Sequence, residues 1–193
     1  KNTNEFCKKI NPIFIIGLPR SGSTLVEGII SSGLLKIENG GETAVINAEI
    51  IKEVRGKTFD KNFEKIKFNL DLNNLSNNIL ARYENFNLLY KDKNYFFTDK
   101  SLENFFYVEL ILNLFPNAKF INCERDLIDS IFAIYGNFFD KMSWTHSIEN
   151  ILKYIDQYLI IIDYFKKRYP KKIYSVQLKN LTENSLDISK KIF

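Results

Sequence analysis

The chain has 193 residues and a mass of 22.7 kDa, with 45% hydrophobic and 26% charged residues. This composition is typical of a globular domain and excludes disordered, collagen-like and coiled-coil proteins. Lysine and arginine total 27 against 23 acidic residues, so the net charge is only +4. The basic residues are dispersed, which argues against a nucleic-acid-binding face. No apolar run approaches the about 20 residues that a membrane span needs.

The predicted elements alternate between strands and helices. Short apolar runs predict strands over residues 12–17, 34–38, 95–98, 118–123 and 173–178. Amphipathic periodicity and helix-end signals predict helices over residues 24–32, 43–54, 72–90, 103–115, 126–135, 147–168 and 183–191. Residues 57–71 are ambiguous. This alternation predicts an α/β fold with a three-layer, mostly parallel sheet flanked by helices.

Three polar segments follow predicted strands. They are residues 17–24, Asp99 with Lys100, and Arg125. In open parallel sheets, ligands bind beyond the carboxyl ends of the strands. The three segments are therefore predicted to form a functional site at one edge of the sheet.

The segment GLPRSGST at residues 17–24 has the frame of a phosphate-binding loop between a strand and a helix. Its glycines allow successive backbone N–H groups to converge on an anion, and the helix start adds its dipole. Ser23 stands where a triphosphate-binding loop carries lysine, so the loop favours an anion other than a magnesium–nucleotide triphosphate. The alternative is a plain turn between strand and helix.

The longer segment PIFIIGLPRSGSTLVEGIISS resembles the 5′-phosphosulfate-binding segment of sulfotransferases, particularly the bacterial and tyrosylprotein-type branch. The resemblance implies a P-loop NTPase-like sulfotransferase fold and 3′-phosphoadenosine 5′-phosphosulfate as the donor, with no metal and with adenosine 3′,5′-bisphosphate as the product. It also implies that the 5′-phosphosulfate is held by Arg20, Ser21, Gly22, Ser23 and Thr24. Arg20 counts among the implied catalytic residues as well.

Two further segments carry the implied chemistry. NGGET at residues 39–43 resembles the family's Gly-Glu element, which makes Glu42 the implied general base; the alternative is an ordinary helix-start carboxylate. DKSLENF at residues 99–105 resembles the family's "DK…N(F/Y)" segment, which implies that Lys100 stabilises the leaving oxygen. A surface lysine is the alternative there. Asp99 after a strand also has the pattern of a magnesium-holding carboxylate.

Residues 115–130 resemble the family's "FPxAKxIxxxRdPxD" segment, in which the arginine binds the 3′-phosphate. Arg125 takes that role by resemblance. The family's serine eight residues later is Ala133 here, and Ser130, one helical turn earlier, is the substitute that we predict. Leu127 replaces the family's usual proline, so the 3′-phosphate site is expected to differ in arrangement.

The sequence thus predicts a single sulfotransferase-like domain over residues 1–193, expected to be a fragment that lacks a C-terminal closing segment. The resemblance implies that the acceptor is a hydroxyl on a peptide tyrosine, a saccharide or a small molecule. The alternatives are a P-loop kinase or nucleotidase that uses Mg-ATP, and a non-catalytic nucleotide-binding domain. His146, which would be the base in other branches, is expected to be solvated or to pack. Cys7 and Cys123 fit a reducing, cytoplasmic compartment, and no zinc-ligand spacing is present.

Overall fold

A parallel four-stranded sheet organises the computed structural model, which describes residues 5–33, 37–55, 71–89, 96–137, 139–140 and 142–183. The strands are β1 (Asn11–Gly17), β2 (Phe96–Asp99), β3 (Lys119–Glu124) and β4 (Ile173–Gln177). Their order across the sheet is β2-β1-β3-β4, and every neighbouring pair is parallel. The central position of β1 places its carboxyl end between those of β2 and β3.

β1 is buried on both faces, which explains its continuous apolar run. Phe14 belongs to the larger apolar cluster and stacks on Phe120 at 5.4 Å between ring centroids. Ile15 points to the opposite face and joins a smaller cluster with Val26 and Ile121. The sheet is therefore the middle layer between two apolar clusters.

Helices cover both faces of the sheet. They are α1 (Ser23–Ser31), α2 (Val45–Arg55), α3 (Leu72–Asn85), α4 (Val108–Leu114), α5 (Leu127–Tyr135), α6 (Ile148–Arg168) and α7 (Leu178–Glu183), with 3₁₀ turns at Cys7–Lys9, Leu102–Tyr107 and Ser143–His146. Asp71 caps α3 by accepting hydrogen bonds from the backbone N–H groups of Asn73 and Asn74. Asp126 caps α5 in the same way. The α/β architecture predicted from the sequence is confirmed.

The helix predicted over residues 103–115 is wrong in its first half. The chain winds there as the 3₁₀ helix Leu102–Tyr107 before α4 begins at Val108. The tighter winding buries Asn104 and Phe105, and Asn104 donates a hydrogen bond to Asp99 at the end of β2. This tertiary contact outweighs the local preference for a regular helix.

Two further predictions are covered only in part by the described residues. A helix is predicted over residues 183–191; the structure describes α7 over Leu178–Glu183, directly after β4, and residues 184–191 lie outside the described ranges. The strand predicted over residues 34–38 is described only at its end, where Glu38 forms an isolated parallel bridge with Phe97. Tyr90, the last member of the apolar pattern of α3, also lies outside the described residues. Within the described ranges, no helix combines the length and apolarity needed to cross a bilayer.

Candidate active site

The loop between β1 and α1 is shaped by backbone conformations that glycine permits. Gly17 and Gly22 have φ angles of 143° and 90°. A Cβ atom on Gly17 would lie 2.5 Å from the carbonyl oxygen of Cys123, and one on Gly22 would lie 2.5 Å from Leu178 Cδ1. Glycine at these two positions therefore allows the loop to lie tightly against β3 and α7 before α1 begins at Ser23.

Ser21 lies in this curl with an exposed fraction of only 2%. Its Oγ atom has no hydrogen-bond partner among the described residues. A buried hydroxyl without a protein partner is unusual in native proteins, so this hydroxyl is available to donate to a bound group. Together with the start of α1, the hydroxyl fits the binding of an anionic group.

Arg20 and Arg125 meet on the wall of one cavity of about 810 Å³. Arg125 follows β3 directly, and its Nη1 donates a hydrogen bond to the carbonyl oxygen of Arg20 at 3.2 Å. Arg20 itself has a positive φ of 66°, which is uncommon for a residue with a side chain. The end of β3 is thus linked to the loop after β1, and both arginine residues line the same cavity.

Glu42 and Lys100 form an ion pair in this region. Lys100 Nζ lies 2.8 Å from Glu42 Oε1, although the two residues are 58 positions apart in the sequence. The Lys100 side chain is 8% exposed, whereas that of Glu42 is 72% exposed and lines the cavity. The predicted base and the predicted cation are therefore in direct contact, with the carboxylate on the open side.

Asp99 is fully buried and accepts four hydrogen bonds. The donors are Thr43 Oγ1 at 2.7 Å, Tyr83 Oη at 2.7 Å, the Ser101 N–H at 2.9 Å and Asn104 Nδ2 at 3.3 Å. Burial, and next the negative charge of Asp99, raise the pKa of Tyr83 well above its ordinary value, so its hydroxyl stays a donor. Asp99 thus holds protein groups together, which differs from the expected pattern of a magnesium-holding carboxylate. The described residues contain no group of three or more potential metal ligands.

Ser130 and His146 lie apart from these contacts. Ser130 is 1% exposed, and its hydroxyl donates to the Asp126 carbonyl within the first turn of α5. Ser130 is not among the described residues that line the 810 Å³ cavity. His146 Nε2 lies 3.1 Å from the Phe139 carbonyl oxygen. The predicted site residues that line the cavity are Arg20, Gly22, Ser23, Thr24, Glu42 and Arg125. Lys100 contacts Glu42, but Lys100, Ser21 and Ser130 are not among the described residues that line the cavity.

Glu124 organises the sheet edge beside Arg125. Its Oε1 accepts hydrogen bonds from Asn122 Nδ2 at 2.8 Å, Lys166 Nζ at 2.6 Å and Ser175 Oγ at 2.8 Å. Burial by itself raises the pKa of Glu124, but the hydrogen bonds from Lys166, Ser175 and Asn122, together with the charge of Lys166, outweigh it and hold the pKa below its ordinary value. Arg125 and Glu124 also line a second cavity of about 330 Å³.

Sequence reasoning missed one buried carboxylate beside the site. Glu27, on α1, is 3% exposed and accepts hydrogen bonds from the Gly41 N–H and from Thr98 Oγ1. A signal was present, since Glu27 shares the buried face of α1 with Val26 and Ile30. A charged residue on an apolar helix face needs buried partners, which here lie far along the chain.

The sequence of this chain is similar to a known protein family and to one curated protein. The sequence profile described as the sulfotransferase family matches residues 12–193. The chain is 28% identical over 188 residues to an uncharacterized protein of Aquifex aeolicus (strain VF5), a match that covers 94% of this chain and 25% of that protein. The chain thus spans about a quarter of the length of this curated relative.

Two solved structures share the fold. The crystal structure of a sulfotransferase from Mycobacterium tuberculosis matches with a TM-score of 0.60 and 11% identity, over 95% of this chain and 66% of that one. A sulfotransferase from Mycobacterium avium matches with a TM-score of 0.54 and 12% identity, over 95% of this chain and 63% of that one. Since the family profile spans all but the first eleven residues and the fold agrees with it, the chain belongs to the sulfotransferase family.

Proposed function

We propose that this chain transfers a sulfuryl group from 3′-phosphoadenosine 5′-phosphosulfate to an acceptor hydroxyl. The observation that carries the proposal is the 2.8 Å contact between Lys100 and Glu42, with Glu42 on the wall of the cavity that Arg20 and Arg125 also line. A carboxylate base on the cavity wall, a buried cation in contact with that base and two arginine residues that line the same cavity match what this transfer needs. Family membership supports the same chemistry.

The residues of the loop fit the anionic donor. Ser21 offers a buried hydroxyl that has no partner among the described residues. The positive φ angles of Gly17, Arg20 and Gly22 curl the backbone, a conformation in which successive N–H groups can converge on an anion. In the proposal Arg20, Ser21, Gly22, Ser23 and Thr24 hold the 5′-phosphosulfate, and Arg125 holds the 3′-phosphate. We leave Ser130 out of this site, because its proton is used within α5 and it is not among the described residues that line the cavity. When bound, the donor supplies a sulfuryl group attached to a good leaving group.

In the proposal, Glu42 acts as the general base and Lys100 stabilises the leaving oxygen. Glu42 takes the proton from the acceptor hydroxyl as the new sulfur–oxygen bond forms, a role typically worth about 10²–10⁴-fold in rate. Lys100 presents a positive charge that compensates the negative charge that grows on the leaving oxygen. Its low exposure makes that charge more effective, because solvent screening is weak around a buried group.

The acceptor is proposed only as a hydroxyl-bearing class. A peptide tyrosine, a saccharide and a small alcohol all present an O–H group to Glu42. The exposed fraction of 72% leaves the Glu42 carboxylate accessible to any of them.

Two observations disfavour a kinase or nucleotidase that uses Mg-ATP. Ser23 occupies the place of the lysine that contacts the β- and γ-phosphates. The four hydrogen bonds on Asp99 already use the carboxylate that such an enzyme would direct at magnesium.

Calorimetry with adenosine 3′,5′-bisphosphate and with Mg-ATP tests the donor assignment. We expect the bisphosphate to bind and Mg-ATP to bind much more weakly. Arg125→Ala should weaken bisphosphate binding about tenfold or more, because hydrogen bonds to charged groups are worth about 1.5–3 kcal/mol. Arg168→Ala is the matched control, since Arg168 pairs with Glu109 at 3.0 Å.

Transfer of labelled sulfate to a panel of tyrosine peptides, saccharides and alcohols tests the reaction itself. We expect label on at least one acceptor class, and transfer that is about 10²-fold or more slower but still measurable with Glu42→Gln. Tighter binding of Mg-ATP than of the bisphosphate would contradict the donor assignment. Bisphosphate binding without any label transfer would favour a non-catalytic nucleotide-binding domain.

A further inference from the structure

Glu27 is a buried carboxylate that no role described above uses. It lies on α1, the helix that begins at the phosphate-binding loop, and its exposed fraction is 3%. Its Oε1 atom accepts a hydrogen bond from the Gly41 N–H at 3.0 Å and a second from Thr98 Oγ1 at 2.8 Å. Burying a carboxylate costs several kcal/mol unless its hydrogen bonds compensate, so these contacts shape the surrounding structure.

The two donors belong to the segments that carry the proposed base and cation. Gly41 immediately precedes Glu42, and Thr98 lies two residues before Lys100. Thr98 Oγ1 also accepts a hydrogen bond from the Gly40 N–H at 3.1 Å. One carboxylate oxygen on α1 thereby joins the turn before Glu42 to the strand before Lys100.

The turn is held on its other side by backbone hydrogen bonds to β2. The Lys100 N–H donates to the Gly41 carbonyl at 2.8 Å, and the Thr98 N–H donates to the Glu38 carbonyl at 2.9 Å. Gly41 has a φ of 61°, so the chain reverses direction just before Glu42. The contact with Glu27 ties this reversal to α1, whereas the backbone bonds tie it to β2.

We propose that Glu27 is a positioning residue that sets the Glu42 carboxylate against Lys100 and the phosphate-binding loop. This inference rests on the proposed function, because it assigns Glu27 a part in placing the base. Glu27 is not among the described residues that line the cavity, and its described hydrogen bonds do not include Lys100. In this proposal it acts through the Gly41 N–H. Loss of the Glu27 oxygen leaves that N–H unpaired and lets Glu42 move away from its place.

Steady-state kinetics of Glu27→Ala and Glu27→Gln test the assignment. We expect Glu27→Ala to lower kcat about 10–100-fold, since a displacement near 1 Å of a reacting group costs up to about 10²-fold. KM for the donor and affinity for adenosine 3′,5′-bisphosphate should stay within about twofold, because Glu27 lies outside the anion site. Glu27→Gln keeps an oxygen that accepts both hydrogen bonds, so it should restore most of kcat.

A double-mutant cycle with Glu42→Gln distinguishes a positioning role of Glu27 from a general loss of folded structure. If Glu27 acts through Glu42, Glu27→Ala costs little more in the Glu42→Gln background. Glu49 provides the matched control, because it is also a buried glutamate, with Arg82 Nε at 3.2 Å and Lys52 Nζ at 3.7 Å. Glu49→Ala should destabilise the fold but leave kcat per folded molecule unchanged in both backgrounds.

Hydrogen exchange gives a readout that needs no activity. Glu27→Ala should speed exchange of the Gly41 amide about tenfold or more relative to the Ala44 amide. Ala44 is a suitable reference because its N–H donates to Ser101 Oγ at 2.8 Å and not to Glu27.

The outcomes distinguish this inference from the proposed function. Equal losses in Glu27→Ala and Glu27→Gln, an additive effect with Glu42→Gln, or unchanged Gly41 exchange would each overturn the positioning role. If the unaltered protein transfers no sulfate to any acceptor, the proposed function fails, and with it the role of Glu27 in placing a catalytic base. Faster exchange of the Gly41 amide in Glu27→Ala would still show that Glu27 anchors the turn.

Discussion

The Lys100 side chain combines a buried stem with a charged end that reaches Glu42. Its exposed fraction of 8% contrasts with 66% for Lys153, which pairs with Glu149 at 2.7 Å on the surface of α6. A surface pair of that kind contributes about 0–1 kcal/mol, and its loss is tolerated. A buried ammonium group beside a reacting centre acts instead on the charge that develops there.

Lys100→Met keeps most of the apolar stem and removes the charge. We expect kcat to fall about 10²–10³-fold, the usual cost of removing a preorganised group that stabilises developing charge. Bisphosphate affinity should change much less than kcat. Label-transfer kinetics together with calorimetry check both expectations.

Lys153→Met is the matched control for this variant, because it removes an ammonium group that also pairs with a glutamate but lies on the surface of α6. Its turnover should equal that of the unaltered protein. Near-normal transfer by Lys100→Met would remove Lys100 from the proposed mechanism.

At the scale of elements, the segment before α2 lies against β2 and forms one isolated bridge with it. Glu38 bridges Phe97, and Gly40 lies so close to β2 that an added Cβ would be 2.0 Å from the Thr98 carbonyl oxygen. The same Cβ would be 3.1 Å from Leu88 Cδ1. Glycine is therefore required at position 40, because neither the backbone of β2 nor the packed leucine leaves space.

Gly40→Ala should destabilise the protein by roughly 1–3 kcal/mol or more, the usual range for overpacking a filled site. It should also lower turnover, because the segment that carries Glu42 must shift. Gly28→Ala is the matched control, since a Cβ at Gly28 on α1 meets nothing within 4 Å. That change should stabilise the protein by about 0.5–1 kcal/mol, because alanine suits a helix interior better than glycine. Urea unfolding of both variants measures the difference, and equal stabilities would contradict the close approach at Gly40.

At the scale of the whole molecule, Glu124 connects β3, α6 and β4 through Asn122, Lys166 and Ser175. These contacts hold its pKa below the ordinary value of 4.5, despite the opposing effect of burial. The folded state therefore binds a proton at Glu124 less readily than the unfolded state. The stabilisation is fully present above about pH 4.5 and is lost as the pH falls through the lower, folded pKa.

Glu124→Gln should lower the free energy of unfolding at neutral pH and weaken its decline in acid. The difference between the variant and the unaltered protein should shrink as the pH falls below about 4.5. Urea unfolding over a pH series measures it, with the exposed Glu149→Gln as the control. A difference that stays constant across the series would show that the carboxylate charge of Glu124 is not what joins the three elements.

Local sequence pattern and family resemblance together were enough to predict the fold class and the edge of the sheet that carries the candidate site. The apolar run before Gly17 indicated a buried strand, and the strand–helix alternation indicated a parallel α/β sheet; both are confirmed. Polar segments after three strands predicted one shared edge, because parallel strands end on the same side. Resemblance to sulfotransferases pointed to Glu42 and Lys100, which the structure brings into contact, while their catalytic roles stay predictions.

Tertiary structure alone decided which side chains meet and which are withdrawn. Glu27 reaches Thr98 across 71 positions, and Asp99 gathers Thr43 and Tyr83 into the interior. Likewise, the 3₁₀ helix over residues 102–107 brings Asn104 into contact with Asp99 at the end of β2. Periodicity and propensity report on neighbours within a few residues, whereas these hydrogen bonds join groups that only folding brings together.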